Sequence, residues 1–242
     1  MSEAISVSII IPCRDDHYYL DELLNNITAL SPLPEIIVSD SSRETQRVKE
    51  ICNNYGVKMI QVHPPSRGQQ LDLGAQKASC ELLIFQHVDT DFSQDHYDSI
   101  IELFKSEPEI IGGAFLKDID ELYPCFRFFN WLHKIYTKYV GTLYGDQSVF
   151  VLKSVFFELG GFEGLPLMED VKFSSKLRDY GSVRVITPSI KTSHRKFLRE
   201  GTFKRKLSNM WLIALYRLGV SPIKLAAKYY SKKTSVSHSG QV

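Results

Sequence analysis

Short apolar runs alternate with longer runs whose apolar residues recur every third or fourth position through the first ninety residues. ISVSIII (Ile5 to Ile11) predicts a β-strand, which Pro12 stops because proline cannot donate to a ladder. YLDELLNNITAL has the helical period and ends ahead of Ser31-Pro32-Leu33-Pro34. EIIVSD predicts the second strand, with a polar helix after it running through Cys52. VKMIQV, the turn HPPSRG, a helix from about Gln69 to Ser79 and the strand ELLIFQ complete the series. Such alternation predicts a parallel sheet with helices on both faces.

Beyond that point the pattern is less regular. IIGGAFLK and GDQSVFVLK predict strands, and YPCFRFFNWLHKIYTKYV an aromatic, basic helix. ELGGFEGLPLMEDVKFSSKLRDYG reads as a glycine-rich loop leading into a helix, and SVRVIT as a further strand. Two amphipathic helices follow, and then SKKTSVSHSGQV, whose composition predicts disorder. There is no internal repeat.

Ligands of open α/β sheets sit beyond the carboxyl ends of the strands. Those ends carry Arg14-Asp15, Asp40-Ser41-Ser42, Arg67-Gly68 and His87-Val88-Asp89, so four charged loops should share one rim. Neither GxGxxG nor GxxxxGK[ST] occurs, which counts against a dinucleotide fold and a P-loop. Asp89 stands where a hard divalent cation would bind. The competing role, capping the next helix, is filled by Ser93 or Asp91 and leaves Asp89 over. Asp40 taken alone could simply cap a turn. Arg67 precedes a helix whose N-terminus favours anions, a combination that suits a diphosphate, although a surface arginine would look the same. Glu169 and Asp170 in PLMEDV open a helix after a flexible loop. They are either a general base or acids drawn there by the helix dipole. His194 and Arg195 in TSHRKF could complete a phosphate or metal shell, though a lone histidine is more often structural.

At 242 residues the chain is long enough for one domain with an appendage, and 43% hydrophobic residues suffice for a full core. No apolar run reaches the roughly 18 residues that would span a bilayer, and MSEAISVSIIIPCRDD has no basic leader, so no signal peptide is expected. Cys13, Cys52, Cys80 and Cys125 are scattered without a CxxC, which suits a reducing cytosol rather than zinc or thiol chemistry. The net charge of +1 hides a split. From Lys191 onward there are 12 Lys and Arg against one acid, Glu200, a balance of +11 against −10 for the rest. That split implies either a basic surface that meets something anionic or the solvated faces of terminal helices.

SIIIP, EIIVSD, SRGQQLDLGAQKA, FQHVDT, GGAF, YGDQSVF, LGGFEGLPLMEDV, TSHRKF and YRLGVSP occur in that order. In these blocks, from about Ile5 to Tyr230, the chain resembles family 2 glycosyltransferases of the GT-A fold. The resemblance is nearest to a bacterial subgroup often encoded beside radical-SAM proteins. It implies an α/β fold of the GT-A type: a mostly parallel nucleotide-binding sheet flanked by helices, with C-terminal amphipathic helices. It further implies one domain over residues 1–200, with a nucleotide-sugar half (1–93) and an acceptor half (94–200). A helical extension (201–231) and a disordered tail (232–242) would follow.

Carried over by this resemblance, Asp40 would contact the uracil or other base of the donor, and Asp89 would be the last acid of a DxD-type metal motif. Asp170, with Glu169 beside it, would be the ED-motif base that deprotonates the acceptor hydroxyl. Arg195 would lie near the diphosphate, and His194 is assigned to the metal. Pro12, Arg14 and Arg67 are assigned to the donor site, as are His87, Asp146 and Gln147. The implied cofactors are a divalent cation, Mn2+ or Mg2+, and a nucleotide-sugar donor, with a UDP-sugar favoured. The implied reaction is a single inverting displacement.

Three departures bear on the donor and the metal. His87 replaces the first Asp of the usual DxD, SDSSRET replaces a glycine-containing turn, and Asp72 stands where the subgroup commonly has Asn. Two other readings compete. A metal-dependent nucleotidyltransferase would need a glycine- and lysine-rich phosphate loop, which PCRDDHYY does not supply. A catalytically silent GT-A binding module is opposed by the intact Asp89 and Asp170.

GTFKRKLSNMWLIALYRLGV places Phe203, Leu207, Met210, Trp211, Ala214, Leu215 and Leu218 on one stripe, with Lys204, Arg205 and Lys206 at its start. Such a stripe packs on the core, on a second copy in a homodimer, or on an anionic leaflet. The last would suit a lipid-linked acceptor and a cytoplasmic protein peripheral to the inner face of the membrane. No base-reading module is present, so no nucleic-acid partner is expected.

Overall fold

Alternate residues of one strand enter two different cores, because successive side chains of a strand point to opposite faces. In the first strand, β1 (Val7–Cys13), Ile9 and Ile11 join one cluster of buried side chains and Ile10 joins another. The computed structural model describes residues 5–118, 141–191 and 211–227. The strands are β1, β2 (Glu35–Asp40), β3 (Lys58–Gln61), β4 (Leu82–Phe85), β5 (Ile110–Asp118), β6 (Val149–Leu152) and β7 (Ser182–Lys191). They form one sheet in the order β3-β2-β1-β4-β6-β5-β7. All pairs are parallel except those of β6, which runs against both β4 and β5. The carboxyl ends of β1, β2, β4 and β5 and the start of β6 therefore lie at the same edge.

Among the described residues, six helices cover the faces: α1 (His17–Ile27), α2 (Thr45–Asn54), α3 (Arg67–Lys77), α4 (Gln94–Ser106), α5 (Lys153–Glu158) and α6 (Glu169–Tyr180). Leu20 and Leu24 of α1, Val48 of α2 and Ile100 of α4 pack on the face of Ile9 and Ile11. Leu71 of α3, Phe156 of α5, and Phe173 and Leu177 of α6 pack on the face of Ile10. Coverage on both sides is why the inner strands read as unbroken apolar runs. Residues 211–217 and 222–227 are helical. Among the described residues, no helix is long and apolar enough to cross a membrane.

The structure differs from the sequence reading at two prolines. Pro12 does not stop β1, which continues to Cys13 with Pro12 beside Ser39. Ile10 turns its carbonyl to the β4 side, where Gln86 N–H donates to it at 2.9 Å. Pro12, two residues on, faces that same side beyond Phe85, where β4 has ended, so no ladder bond is lost. β7 likewise runs past SVRVIT through Pro188, because it is an edge strand with a register shift opposite Phe115 and Lys117. Helix α5 had no counterpart in the sequence reading. The expected helix over YPCFRFFNWLHKIYTKYV and the C-terminal tail lie outside the described residues.

Candidate active site

The rim is assembled from the loops that leave β1, β2 and β4, the segment that enters β6, and the first turns of α3 and α6. Gln70 of α3 is buried and its Nε2 donates to the carbonyls of Cys13 (2.8 Å) and Ser39 (2.6 Å), tying the ends of β1 and β2 together. Beside that tie, Asp40 is wholly buried: Oδ1 accepts Ser42 N–H at 3.0 Å. Its Oδ2 is buried without a hydrogen-bond partner among the described residues. A buried carboxylate oxygen left unpaired is costly, so this atom is suited to a ligand N–H or hydroxyl. Ser42 Oγ accepts Asp15 N–H (2.8 Å), and Asp15 pairs with Arg43 at 3.0 Å in solvent, joining the first two loops. Arg14 is exposed on the same loop and Pro12 is half-buried at its root.

Past β4, Gln86 shapes the acidic loop. Its Nε2 donates to the carbonyls of His87 (3.1 Å) and Thr90 (2.8 Å), and its Oε1 accepts Ser148 Oγ (2.5 Å). His87 Nδ1 lies 3.7 Å from Asp89 Oδ1. Burial, and then the nearby Arg67, push the His87 imidazole below its usual pKa, so it is neutral near pH 7. The next helix is capped by Ser93, whose N–H donates to His96 Nδ1 at 3.1 Å, so Asp89 is not needed as a cap.

α3 and α6 bring the remaining groups in. Arg67 Nε is 3.3 Å from Glu169 Oε1. Burial raises the Glu169 carboxyl to about 7; Arg67 opposes the shift and Asp170 adds to it. Asp170 Oδ2 accepts Gly145 N–H (2.9 Å) and its Oδ1 accepts Val171 N–H (2.8 Å). A Cβ at residue 145 would strike the Arg67 guanidinium and come within 3.2 Å of His87 Nε2, so any side chain there would push the arginine out of its place beside Glu169. Asp146 pairs with Lys117 from the end of β5. Burial alone would raise the Asp146 carboxyl, but the Lys117 ammonium prevails and holds it below the usual range. Arg67, His87, Gly145, Glu169 and Asp170 surround a gap of about 10 Å³, room for one water at most.

The expected site residues thus separate into three groups. Arg67, His87, Asp89, Asp146, Glu169 and Asp170 share one end of the sheet, with Asp40, Arg14 and Pro12 toward its β1–β2 side. Gln147 stands behind the site: it is fully buried, donates to Phe115 O (3.0 Å) and accepts Tyr144 N–H (2.7 Å). His194 and Arg195 lie outside the described residues. Asp72 serves the glycine-rich loop, accepting the N–H groups of Phe162 and Gly164 at 2.8 Å each. Sequence reasoning missed Lys117, Gly145, Gln70 and Gln86. Lys117 and Gly145 were within reach, because a lysine ending a strand and a glycine beside an acid in YGDQ both mark a rim.

No group of three or more His, Cys, Asp or Glu side chains that could hold a metal occurs among the described residues. His87 and Asp89 could offer one nitrogen and one carboxylate donor, and a hard ion that takes its remaining ligands from phosphate and water would be held chiefly by Asp89.

The sequence profile of Glycosyl transferase family 2 matches residues 8–157. The 4,4'-diaponeurosporenoate glycosyltransferase of Staphylococcus haemolyticus (strain JCSC1435) is 29% identical over 107 residues, covering 41% of this chain and 28% of that protein. The chain therefore spans well under a third of that relative. Among solved structures, the mannosyltransferase PcManGT from Pyrobaculum calidifontis, in complex with GDP-Man and Mn2+, superposes with a TM-score of 0.68 at 13% identity. That match covers 100% of this chain and 77% of the other. GalNAc-T7 with UDP, GalNAc and Mn2+ gives a TM-score of 0.59 at 16% identity over 79% of this chain and 44% of the other. These likenesses show the fold, a GT-A glycosyltransferase sheet. The profile spans more than half of the sequence, and on that ground the chain belongs to glycosyl transferase family 2.

Proposed function

We propose that this protein transfers a sugar from a nucleoside-diphosphate sugar to an acceptor hydroxyl in one inverting displacement, with Asp170 as the general base. The observation that carries the reading is the setting of Asp170. Its carboxylate is held by Gly145 N–H, and Arg67 and His87 crowd that same glycine. A base, a guanidinium and the Asp89 loop thus converge where a leaving diphosphate and an attacking oxygen would have to meet.

Asp40 Oδ2 would accept an N–H of the nucleobase, and a uracil has one at the right edge. Arg67, at the first turn of α3, would take diphosphate oxygens together with the free N–H groups of that turn. Asp89, with His87 beside it, would hold Mn2+ or Mg2+, which supplies Lewis-acid neutralisation of the leaving diphosphate. PcManGT and GalNAc-T7 are both described with Mn2+, which supports that assignment.

In the reaction the acceptor oxygen forms its bond to the anomeric carbon as the bond from that carbon to the diphosphate oxygen breaks. The bonding pair leaves with the diphosphate, and the hydroxyl proton passes to Asp170. Attack from the face opposite the leaving group inverts the anomeric centre. We further propose one catalytic domain over residues 1–200, with a donor half before residue 94 and an acceptor half after it; the single sheet that runs through β7 to Lys191 supports treating the two halves as one domain.

The test pairs calorimetry with turnover. UDP and GDP are titrated with and without Mn2+ into wild type, Asp89→Ala and Asp170→Asn. Asp89→Ala should abolish the Mn2+-dependent part of binding. Asp170→Asn should bind nucleotide like wild type while turnover of the donor sugar falls by about 10²–10⁴. Normal turnover in Asp170→Asn would refute the base assignment, and a product with retained configuration would refute the single displacement.

A further inference from the structure

Of the C-terminal stripe expected from sequence, Phe203, Leu207 and Met210 lie outside the described residues, Leu215 packs beside Leu212, and Trp211, Ala214 and Leu218 are exposed. Leu212 and Leu225 are buried against Met168 and Val171, the two residues that flank Glu169 and Asp170. Trp211 and Leu218, seven residues apart and so on one side of the helix, are 60% and 80% exposed. Ile223 on the next helical segment is 69% exposed. Ala214, Arg217 and Lys224 are exposed between them. A short helix on a globular surface ordinarily turns its polar residues outward. Here a tryptophan and two large aliphatics stand out beside basic side chains, and the sequence from Lys191 onward carries a balance of +11.

We infer that residues 211–227 form a surface that docks on an anionic lipid bilayer. Tryptophan is favoured at the level of the headgroups, aliphatic side chains just below them, and lysine and arginine can lay their stems flat while the charges meet lipid phosphates. The negative surface potential of an anionic leaflet adds an attraction for each basic residue near it. A second copy of the chain is a poorer occupant. A two-fold interface sets a patch against itself and would bring the like charges of Arg217 and Lys224 on the two copies toward each other with no acid in 211–227 to offset them.

Because the inner side of this surface packs on the residues flanking Asp170, docking would put the catalytic rim next to the lipid headgroups. The acceptor would then be a hydroxyl borne by a membrane-anchored molecule. This last step rests on the transferase reading, whereas the docking itself does not.

The experiment is flotation of the full chain with vesicles of phosphatidylcholine alone and of phosphatidylcholine with phosphatidylglycerol, without nucleotide or metal. Wild type and the Trp211→Ser/Leu218→Ser/Ile223→Ser variant are compared, and both are weighed by light scattering. Circular dichroism and a thermal melt of the variant, equal to those of wild type, verify its fold. Wild type should float with the phosphatidylglycerol vesicles only, and the variant should lose about tenfold or more of the bound fraction. Added salt should release part of the wild type. The inference is overturned if wild type stays unbound, or if the variant floats as well as wild type. It is also overturned if wild type is a dimer that the variant splits, which would give the face to a second copy. Asp89→Ala and Asp170→Asn should float like wild type, so failure of the catalytic reading leaves this result untouched.

Discussion

Glu169 illustrates what burial does to a single residue. It is 4% exposed, and its carboxyl lies at about 7 instead of the usual 4.5. A carboxyl whose folded pKa is raised binds its proton more tightly in the folded chain than in the unfolded one. Below about pH 4.5 both forms are protonated and nothing is lost. Between there and about pH 7 the unfolded chain ionises first, so stability falls, and above pH 7 the loss is complete. Replacing Glu169 with Gln should remove that dependence. The stability of Glu169→Gln relative to wild type should rise from pH 5 to pH 8 by up to ~3 kcal/mol, read as a difference in melting temperatures. A difference that does not change with pH would show that Arg67 keeps Glu169 ionised throughout. From sequence alone the carboxylates of PLMEDV were visible, but not that one is buried on Arg67 and the other held by Gly145. Those partners lie 102 and 25 residues away, and only folding brings them close.

Among the elements, the turn between α5 and α6 decides where α6 starts, and Asp72 fixes that turn from a neighbouring helix. Gly161, at φ +62°, could not carry a side chain: a Cβ would come within 2.6 Å of Asp72 Oδ1. Replacing Asp72 with Ala leaves the N–H of Phe162 without its acceptor in a half-buried place, a loss of about 1–3 kcal/mol. Hydrogen exchange over residues 160–168 should speed up accordingly. Glu163 offers the contrast. It pairs with both Lys172 and Lys176 at 2.5 Å, but in solvent, so Glu163→Ala should alter stability by no more than about 1 kcal/mol. Equal losses in the two variants would mean that the loop is held by charge rather than by hydrogen bonding. At this scale the strands EIIVSD and IIGGAFLK were legible because their apolar runs are long and bounded by turn residues. α5 was not, since KSVFFE continues the apolar run of β6 without any break signal.

For the whole molecule, the donor should act as a structural ligand that bridges the β1–β2 end of the rim and the Asp89 loop. A ligand present at a hundred times its dissociation constant stabilises a protein by ~2.7 kcal/mol. In a domain of this size that corresponds to a rise of roughly 5–10 °C in melting temperature. The rise should appear with nucleotide and Mn2+ together, be small with either alone, and vanish in Asp89→Ala. An unchanged melting temperature with every nucleotide tried would favour a binding-silent domain.

The sequence alone determined the alternation of strand and helix, the parallel sheet and the edge at which charge collects. All three follow from the spacing of apolar residues and from which residues end each strand. Tertiary structure decided the rest. Pro12 is tolerated inside β1 because β4 ends early, and Gln147 is used up by Phe115 and Tyr144 rather than by a ligand. The stripe of Trp211 and Leu218 faces outward because Leu212 and Leu225 occupy the place beside Met168. Periodicity shows that a helix has an apolar side. Which side the fold covers is settled by the distant surfaces that compete for it.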